Sequence, residues 1–253
     1  EVLGFSAQRL CLIAGLLTML VAVASTVRLL DVFVRFLILL GIRVVYRIRA
    51  SGLEHVPIEG GALLVSNHVS WVDSFLIGAT QPRPVRFMMD RDIFGQSRFQ
   101  WLLRLMGVIL ISEKDGPKSL VRAFREARHA MDAGHLVCIF AEGAITRTGT
   151  LQRFKSGFER IMRGNPCPII PVYIGGAWGS IFSWYSGRLM RTWPRRVPYA
   201  ISIHFGKPLP AETRAFDVRQ AVLELSCDYY DALKCTRRSL GERFVRAARR
   251  HWR

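Results

Sequence analysis

An uncharged run near the start of the chain constrains its fold more than any other feature. Leu10–Val27 contains no charged residue and lies between Arg9 and Arg28. As a helix these residues extend about 27 Å, close to the thickness of a hydrocarbon core. The run therefore predicts a membrane-spanning helix, which we place at residues 1–30. Two alternatives stay open. The small residues of Ala22-Val23-Ala24 favour a cleaved signal peptide, although the preceding segment is hardly basic, and a buried core helix has a similar length.

The next segment is apolar but regularly interrupted by charge. Its charged residues are Asp31, Arg35, Arg43 and Arg47. Residues four apart share a helix face, so Asp31 and Arg35 are expected to form an ion pair. The pattern predicts an amphipathic helix over residues 31–48 that lies in the headgroup layer. Because arginines follow the uncharged run, the positive-inside rule places the rest of the chain on the cytoplasmic side of the inner membrane.

The charge balance points to an anionic partner. The chain has 36 Lys and Arg residues against 19 Asp and Glu, which gives a net charge of +17. Nucleic acid and anionic lipid are the two polyanions that such a chain attracts. The basic residues are dispersed and form no nucleic-acid-binding motif, and a membrane-length run is hard to explain in such a protein. We therefore expect an anionic membrane surface as a partner, and no nucleic acid.

The cysteines argue against a disulfide framework or a structural zinc site. They are odd in number, scattered, and form no C-x-x-C pair. A reducing, cytoplasmic environment is therefore the better expectation. The five are Cys11, Cys138, Cys167, Cys227 and Cys235.

From residue 49 onward the pattern is that of an α/β domain. Short apolar runs predict strands, and the apolar stripe of Pro117–Ala133, with proline in the first turn and Gly134 after the last, predicts a helix. Strands that alternate with helices predict a mostly parallel sheet covered by helices, here over residues 49–210. Residues 211–253 are expected to form a basic helical extension or linker. The predicted strands are Ala62–Ser66, Val108–Ile111, Leu136–Phe140, Ile169–Ile174 and Tyr199–Phe205, the last nearer an edge.

The residues with most chemical content follow the first of these strands. Asn67–Asp73 reads Asn-His-Val-Ser-Trp-Val-Asp, and sites in α/β sheets gather at the carboxyl ends of strands. If a helix begins near Ser70, Asp73 lies in its first turn and reaches back to His68. A carboxylate on Nδ1–H would fix the tautomer and leave Nε2 to accept a proton from a substrate hydroxyl. The alternatives are a purely capping role for Asp73 and, less favoured, metal ligation.

The order of several motifs resembles the glycerolipid acyltransferases of the lysophosphatidic-acid-acyltransferase type. The first motif of that family, N-H-x-S-x-x-D, is complete. The third, F-P-E-G-T-R, keeps its Glu and Gly but not its Pro, Thr and Arg, and the second has Ser112-Glu113 where an Arg is expected. The resemblance implies the family's fold and an acyltransferase activity. In order, the motifs are Asn67–Asp73, Gly107–Ile111, Phe140–Ile145, Phe154–Gly157 and Ile169–Val172.

The resemblance also implies roles for individual residues, without a metal or cofactor. A histidine general base and its orienting aspartate are the catalytic pair. The arginines that contact phosphate in the family are displaced here, so Arg147 and Lys155 are expected to replace them, with Arg91 as a weaker candidate. The alternative for these three cations is a solvated basic surface. The candidate site residues are catalytic His68 and Asp73 and substrate-binding Glu142, Gly143, Arg147, Lys155 and Arg91.

A narrower resemblance is to the acyltransferase segment of bacterial fusion proteins. In these, a transporter precedes the acyltransferase and an adenylate-forming acyl-acyl-carrier-protein synthetase domain can follow. The resemblance rests on Phe140–Gly149, Gly175–Ser183 and the departure at Ser112-Glu113. It implies fused neighbouring domains, an acyl-carrier-protein (or coenzyme A) thioester donor and a lysophospholipid acceptor such as 2-acyl-lysophosphatidylethanolamine. Lysophosphatidic acid is the alternative acceptor, and a catalytically silent lipid-binding module the alternative function.

Overall fold

The chain divides after Val44 into two units. The computed structural model describes residues 7–96, 100–112, 114–185, 187 and 198–236, with the single residues 241, 245 and 248. Glu1–Val44 forms the first unit and Val45–Arg253 the second. Helix α1 (Ala7–Val45) makes up the described part of the first unit. Within it, Gln8–Thr26 is long and apolar enough to cross a membrane, and the apolar side chains of this stretch are exposed.

The prediction of a separate helix over residues 31–48 is wrong. Helix α1 continues without a break to Val45, and Tyr46–Ile48 already belong to a strand. The charged positions change the polarity of the helix but introduce no proline, so nothing in the backbone ends it at residue 30. The chain leaves the helix where its backbone begins to pair with another strand. The side chains of the predicted Asp31–Arg35 ion pair lie outside the described residues.

A seven-stranded sheet forms the centre of the second unit. Its strands are β1 (Tyr46–Ser51), β2 (Ala62–Ser66), β3 (Val85–Asp90), β4 (Ile109–Ile111), β5 (Leu136–Phe140), β6 (Ile169–Gly175) and β7 (Tyr199–Phe205). Their order in the sheet is β1-β7-β6-β2-β5-β3-β4. All neighbours run parallel except β6 and β7. The expected mostly parallel α/β sheet is confirmed.

Helices connect the strands and cover both faces of the sheet. They are α2 (Asp73–Gly78), α3 (Arg91–Gln96), α4 (Gln100–Leu105), α5 (Pro117–Asp132), α6 (Gly157–Met162) and α7 (Ala215–Thr236), with a 3₁₀ turn at Leu53–His55. The buried stripe of α5, which includes Phe124 and Met131, packs into one core with Leu63 and Val137. Leu64 is buried on the opposite face. Continuous burial of this kind explains why the central strands read as unbroken apolar runs.

Two strands escaped sequence analysis because their residues do not form an apolar run. Strand β1 has the sequence Tyr-Arg-Ile-Arg-Ala-Ser and β3 the sequence Val-Arg-Phe-Met-Met-Asp. Strand β1 lies at the edge of the sheet and is mostly exposed, so it tolerates arginines. It covers β7, which is therefore one strand in from the edge.

The predicted domain boundary at residue 210 is also wrong. Helix α7 lies within the predicted extension, yet Val218 and Val222 are fully buried in the core and the helix packs against β6. Its apolar positions complete the cover of one sheet face, which a solvated linker would not do. Most of residues 237–253 lies outside the described residues.

Candidate active site

Asn67 fixes the beginning of the loop that follows β2. Its side-chain Nδ2 donates to the carbonyl of Ile174 at 3.1 Å, and its Oδ1 accepts from the Ile174 N–H at 2.8 Å. The buried amide therefore pairs with β6 as a peptide group would, one residue beyond the last backbone pair of the two strands, Ser66 and Val172. Because the amide pairs with both backbone polar atoms of Ile174, it holds the start of the loop to the sheet.

His68 and Asp73 are in direct contact. His68 Nδ1 lies 2.9 Å from Asp73 Oδ2. Asp73 is the first residue of α2, as the motif predicts, and its side chain is fully buried, whereas the His68 side chain is 20% exposed. The structure therefore places the imidazole at an opening and its partner beneath it.

Three further donors surround the Asp73 carboxylate. The N–H groups of Val69 and Ser70 donate to Oδ2 at 2.6 and 2.8 Å, and the Ser70 hydroxyl donates to Oδ1 at 2.5 Å. Since the backbone N–H groups can only donate, Asp73 acts as acceptor throughout, and the network assigns the His68 proton to Nδ1. Asp73 thus both shapes the turn and orients the histidine, so the capping and catalytic interpretations describe one network.

Aromatic stacking sets the plane of the histidine ring. The His68 ring stacks on Phe140, the last residue of β5, with centroids 4.1 Å apart and an interplanar angle of 13°. The ring of Phe87, from β3, also stacks with that of Phe140, and the two ring centroids are 6.3 Å apart. One face of the imidazole is therefore covered, which limits rotation of the ring and keeps Nε2 in a fixed direction.

Glu142, in the loop after β5, binds the backbone of the histidine. Its Oε1 accepts the backbone N–H of His68 at 3.0 Å, and its Oε2 accepts that of Gln152 at 3.1 Å. The side chain is buried, and this burial raises the pKa of Glu142, an effect that the two backbone hydrogen bonds oppose. The structure thus gives this predicted substrate-binding residue a bracing position between the two loops.

Gly143 and Lys155 pack against each other. Gly143 has φ +73°, and a Cβ added there would lie 2.7 Å from Lys155 Cε and 2.9 Å from Nζ. Only glycine therefore allows the lysine side chain to cross the loop after β5 at this position. The Lys155 backbone N–H donates to the carbonyl of Ala141 at 2.8 Å, which draws the two segments together.

Arg147 is held beside the histidine loop by two contacts that sequence analysis missed. The N–H of Thr146 donates to the His68 carbonyl at 2.9 Å. The guanidinium carbon of Arg147 lies 3.8 Å from the centroid of the Trp184 ring, and the side chain is otherwise exposed. A cation on an aromatic face is attracted by the ring quadrupole. The sequence did contain a signal for Thr146: Thr146 and Arg147 form a Thr-Arg pair two residues after the position of that pair in the family's third motif.

Arg91 is not brought to this group by any contact among the described residues. It begins α3, after the carboxyl end of β3, and its exposed guanidinium pairs with Asp115 at 2.8 Å. The solvated basic surface, which was the alternative interpretation, fits this environment. Ser112, at the place of the family's second-motif arginine, is buried, and Glu113 lies outside the described residues. The described part of the chain contains no group of three or more His, Cys, Asp or Glu residues that could hold a metal ion.

A comparison with protein families assigns the chain to one of them. A model of the family described as Acyltransferase matches residues 47–175, which include the His68–Asp73 pair, Glu142 and Lys155. The chain belongs to the acyltransferase family. The match covers the strands from β1 to β6 and every candidate site residue.

Relatives and a solved structure agree with this assignment. The chloroplastic 1-acyl-sn-glycerol-3-phosphate acyltransferase LPAT1 of Arabidopsis thaliana is 27% identical over 132 residues, 52% of this chain and 36% of the relative. The 1-acyl-sn-glycerol-3-phosphate acyltransferase of Cocos nucifera is 31% identical over 164 residues, 62% and 50% of the two chains. The chain thus spans from about a third to about half of these relatives' length.

The fold is also that of a solved acyltransferase. The 1-acyl-sn-glycerophosphate acyltransferase PlsC of Thermotoga maritima superposes with a TM-score of 0.59 and 18% sequence identity, over 83% of each chain. At this identity the likeness concerns the fold.

Proposed function

We propose that this acyltransferase-family chain is a membrane-bound O-acyltransferase. It transfers a fatty acyl group from an acyl-carrier-protein or coenzyme A thioester to the free hydroxyl of a lysophospholipid such as 2-acyl-lysophosphatidylethanolamine. The observation that carries the proposal is the His68–Asp73 pair: a partly exposed imidazole with Nδ1 bound to a buried carboxylate at 2.9 Å and Nε2 left as a base.

The chemistry follows from this protonation pattern. His68 Nε2 takes the proton of the lysolipid hydroxyl while the oxygen attacks the thioester carbonyl carbon. The tetrahedral oxyanion then collapses, the carbon–sulfur bond breaks, and the imidazolium returns the proton to the leaving thiolate. Asp73 stabilises the imidazolium in between. The substrate supplies the nucleophile, so the pair needs no serine of its own.

The oxyanion requires donors close to His68. The Gly143 N–H is already donated to the Phe140 carbonyl at 3.0 Å, so it is engaged within the loop. Within the described chain, the next two N–H groups, those of Ala144 and Ile145, make no hydrogen bond. In sequence they lie between Glu142 and Thr146, which both form hydrogen bonds with the His68 backbone. We assign these two N–H groups the role of oxyanion donors. One well-placed donor of this kind contributes about 3 kcal/mol to transition-state stabilisation.

Arg147 and Lys155 supply the positive charge for the lipid phosphate. Both follow the carboxyl end of β5 in segments bonded to the histidine loop or to its brace. Stacking on Trp184 restrains the planar Arg147 guanidinium, which suits bidentate binding of phosphate oxygens.

The membrane is the source of the acceptor. Gln8–Thr26 supports an anchor in the inner membrane, with the second unit on the cytoplasmic side, and the net charge of +17 favours an anionic bilayer surface. Transporter and adenylate-forming domains fused to this segment would place the donor's source on the same chain. Lysophosphatidic acid is the second candidate acceptor, favoured by the names of the relatives.

The test is a donor and acceptor panel on membranes that contain the chain. Palmitoyl-acyl-carrier-protein and palmitoyl-coenzyme A are each supplied with 2-acyl-lysophosphatidylethanolamine or lysophosphatidic acid, and thioester consumption and diacyl product are measured. Wild type is expected to form the diacyl lipid, and His68→Ala to lose about 10³-fold or more of the rate. Equal turnover in the two would leave the silent lipid-binding module as the function.

A further inference from the structure

Helix α5 carries a basic face that the proposed reaction does not use. Lys118, Arg122 and Arg125 are exposed, with Val121 between them 51% exposed. Their spacing of four and three residues places them on one side of the helix. Together with Pro117 they line a shallow depression. We call these five residues the α5 patch.

The cations of the α5 patch are not engaged by acidic side chains. In the part of the chain that the structure describes, none of the three forms an ion pair, whereas the neighbouring Lys114 pairs with Asp92 and Arg91 with Asp115. Of the acidic residues of α5, Glu126 lies one turn after Arg122 without forming an ion pair with it, and Asp132 lies near the end of the helix. The α5 patch therefore carries an excess of exposed positive charge, with Glu126 beside it.

The topology places the α5 patch near the carboxyl ends of the parallel strands, where the active site also lies. Helix α5 leaves the carboxyl end of β4 and returns to the beginning of β5. Strands β4, β3, β5 and β2 are parallel, so their carboxyl ends all lie along the same side of the sheet, perpendicular to the strands. His68 follows β2 and Glu142 follows β5 on that side, and the first two turns of α5 begin there.

We propose that the α5 patch is the docking surface for an acidic acyl carrier protein that delivers the thioester. This inference rests on the proposed function. Charge complementarity selects the partner: three exposed cations outside any ion pair, with a central exposed valine, suit an acidic surface that has apolar neighbours.

The shape of the patch favours a protein over a small phosphate ligand. Its cations lie in a row along the exposed side of α5 and extend over about 10 Å along the axis, from Lys118 to Arg125. A phosphate group of coenzyme A would require donors that converge on one point, as Arg147 and Lys155 can do in their loop. A row of separated cations instead matches a row of carboxylates on a second helix.

The test measures binding separately from turnover. Fluorescence anisotropy of a labelled palmitoyl-acyl-carrier-protein is followed with the full chain in detergent, for wild type, the pair Arg122→Glu with Arg125→Glu, and a control pair. The control, Lys207→Glu with Arg214→Glu, changes the net charge equally. Both control residues are exposed and lie outside the α5 patch: Lys207 follows β7, and Arg214 directly precedes α7.

The α5 variant is expected to weaken carrier-protein binding at least 10-fold, and the control less than 2-fold. KM for palmitoyl-coenzyme A should not change in either. Equal weakening in both variants, or carrier-protein binding that the α5 variant leaves intact, would overturn the docking surface.

Two further arms separate the remaining explanations. If the α5 variant loses binding to anionic phosphatidylglycerol vesicles but keeps carrier-protein binding, the patch is a membrane contact and the docking proposal is wrong. Patch-dependent carrier-protein binding without acyl transfer from any donor would support the docking surface and contradict the proposed function. Transfer from coenzyme A with no carrier-protein binding would do the reverse.

Discussion

The two loops at the active edge of the sheet are built in opposite ways. In Asn67–Asp73 the hydrogen bonds to the Asp73 carboxylate, including that of His68, run between residues at most five apart in sequence. In the loop after β5, Glu142 and Thr146 instead bond to the distant His68, and Arg147 packs on Trp184. The hydrogen bonds that orient His68 through Asp73 are therefore local to the first loop, whereas the position of Arg147 depends on the fold around the second. A local network tolerates few substitutions. In a distributed network, by contrast, a cation can stand at a different sequence position, as Arg147 does here.

The largest expected effect is in the local network. Asp73→Asn keeps the shape of the side chain but replaces one acceptor oxygen by a donor, which favours the wrong His68 tautomer. We expect kcat to fall about 10⁴-fold. Steady-state acyl transfer with the preferred thioester measures this, with circular dichroism to establish that the variant folds.

Ser70→Ala is the matched control for Asp73→Asn. It removes one donor to Oδ1 and leaves the contact between Asp73 Oδ2 and His68 intact. A loss of about 10-fold is expected, since a hydrogen bond to a charged group contributes about 1.5 kcal/mol. Comparable losses in both variants would show that Asp73 serves the loop's shape and not the tautomer.

The next largest effect concerns the brace between the two loops. Glu142→Gln can accept only one of the two backbone N–H groups that Glu142 now binds, so His68 shifts. We expect kcat to fall about 10- to 100-fold with a smaller change in KM. A change confined to KM would instead mean that Glu142 contacts the substrate.

The same variant carries a pH signature in stability. Because burial raises the pKa of Glu142, its stabilising contribution is present at low pH and is lost as the pH rises through the folded-state value. Wild type should therefore lose stability relative to Glu142→Gln as the pH increases from acidic to neutral. Thermal unfolding followed by calorimetry measures the difference, and a difference independent of pH would contradict the buried-charge interpretation.

A smaller effect is expected in the distributed loop. Arg147→Ala should raise KM for a phosphate-bearing lysolipid about 10-fold with little change in kcat, because it removes a contact made equally in the ground and transition states. Trp184→Leu should raise KM about 3-fold by releasing the guanidinium. If Trp184→Leu had the larger effect, the aromatic ring itself would be the binding element.

The smallest effect tests the residue that the structure leaves out of the site. Arg91→Ala removes an exposed ion pair with Asp115, so it should change the free energy of unfolding by less than about 1 kcal/mol and leave KM nearly unchanged. Urea denaturation measures the first, and titration of the lysolipid acceptor the second. A KM increase as large as that of Arg147→Ala would return Arg91 to the phosphate site.

The difference between the loops also explains what the sequence could predict. The His68–Asp73 contact follows from strand, motif and helix start, all of which are local signals. Strands β2, β5 and β7 were predicted with the bounds that they have in the structure, because buried runs and alternation mark them directly. Phe140 under the imidazole and Trp184 under Arg147 depend on which strands become neighbours, and spacing along the chain contains no such information.

The errors have the same physical origin. Charges at residues 31–47 suggested a break in α1, but this stretch contains no proline, and the helix ends only where pairing with β7 begins at Tyr46. Arginines hid β1 because an edge strand exposes most of its side chains. The basic composition of the last 43 residues suggested a linker, although Val218 and Val222 bury one side of α7 in the core.

The central claim is that His68 rests with its proton on Nδ1 and a free lone pair on Nε2. Nitrogen-15 NMR of histidine-labelled protein measures this directly, with His68→Gln used to assign the signals. The account predicts that the neutral His68 ring carries its proton on Nδ1 and leaves Nε2 bare, and that Asp73→Asn changes this tautomer. A wild-type spectrum in which Nε2 is protonated and Nδ1 is bare would contradict it.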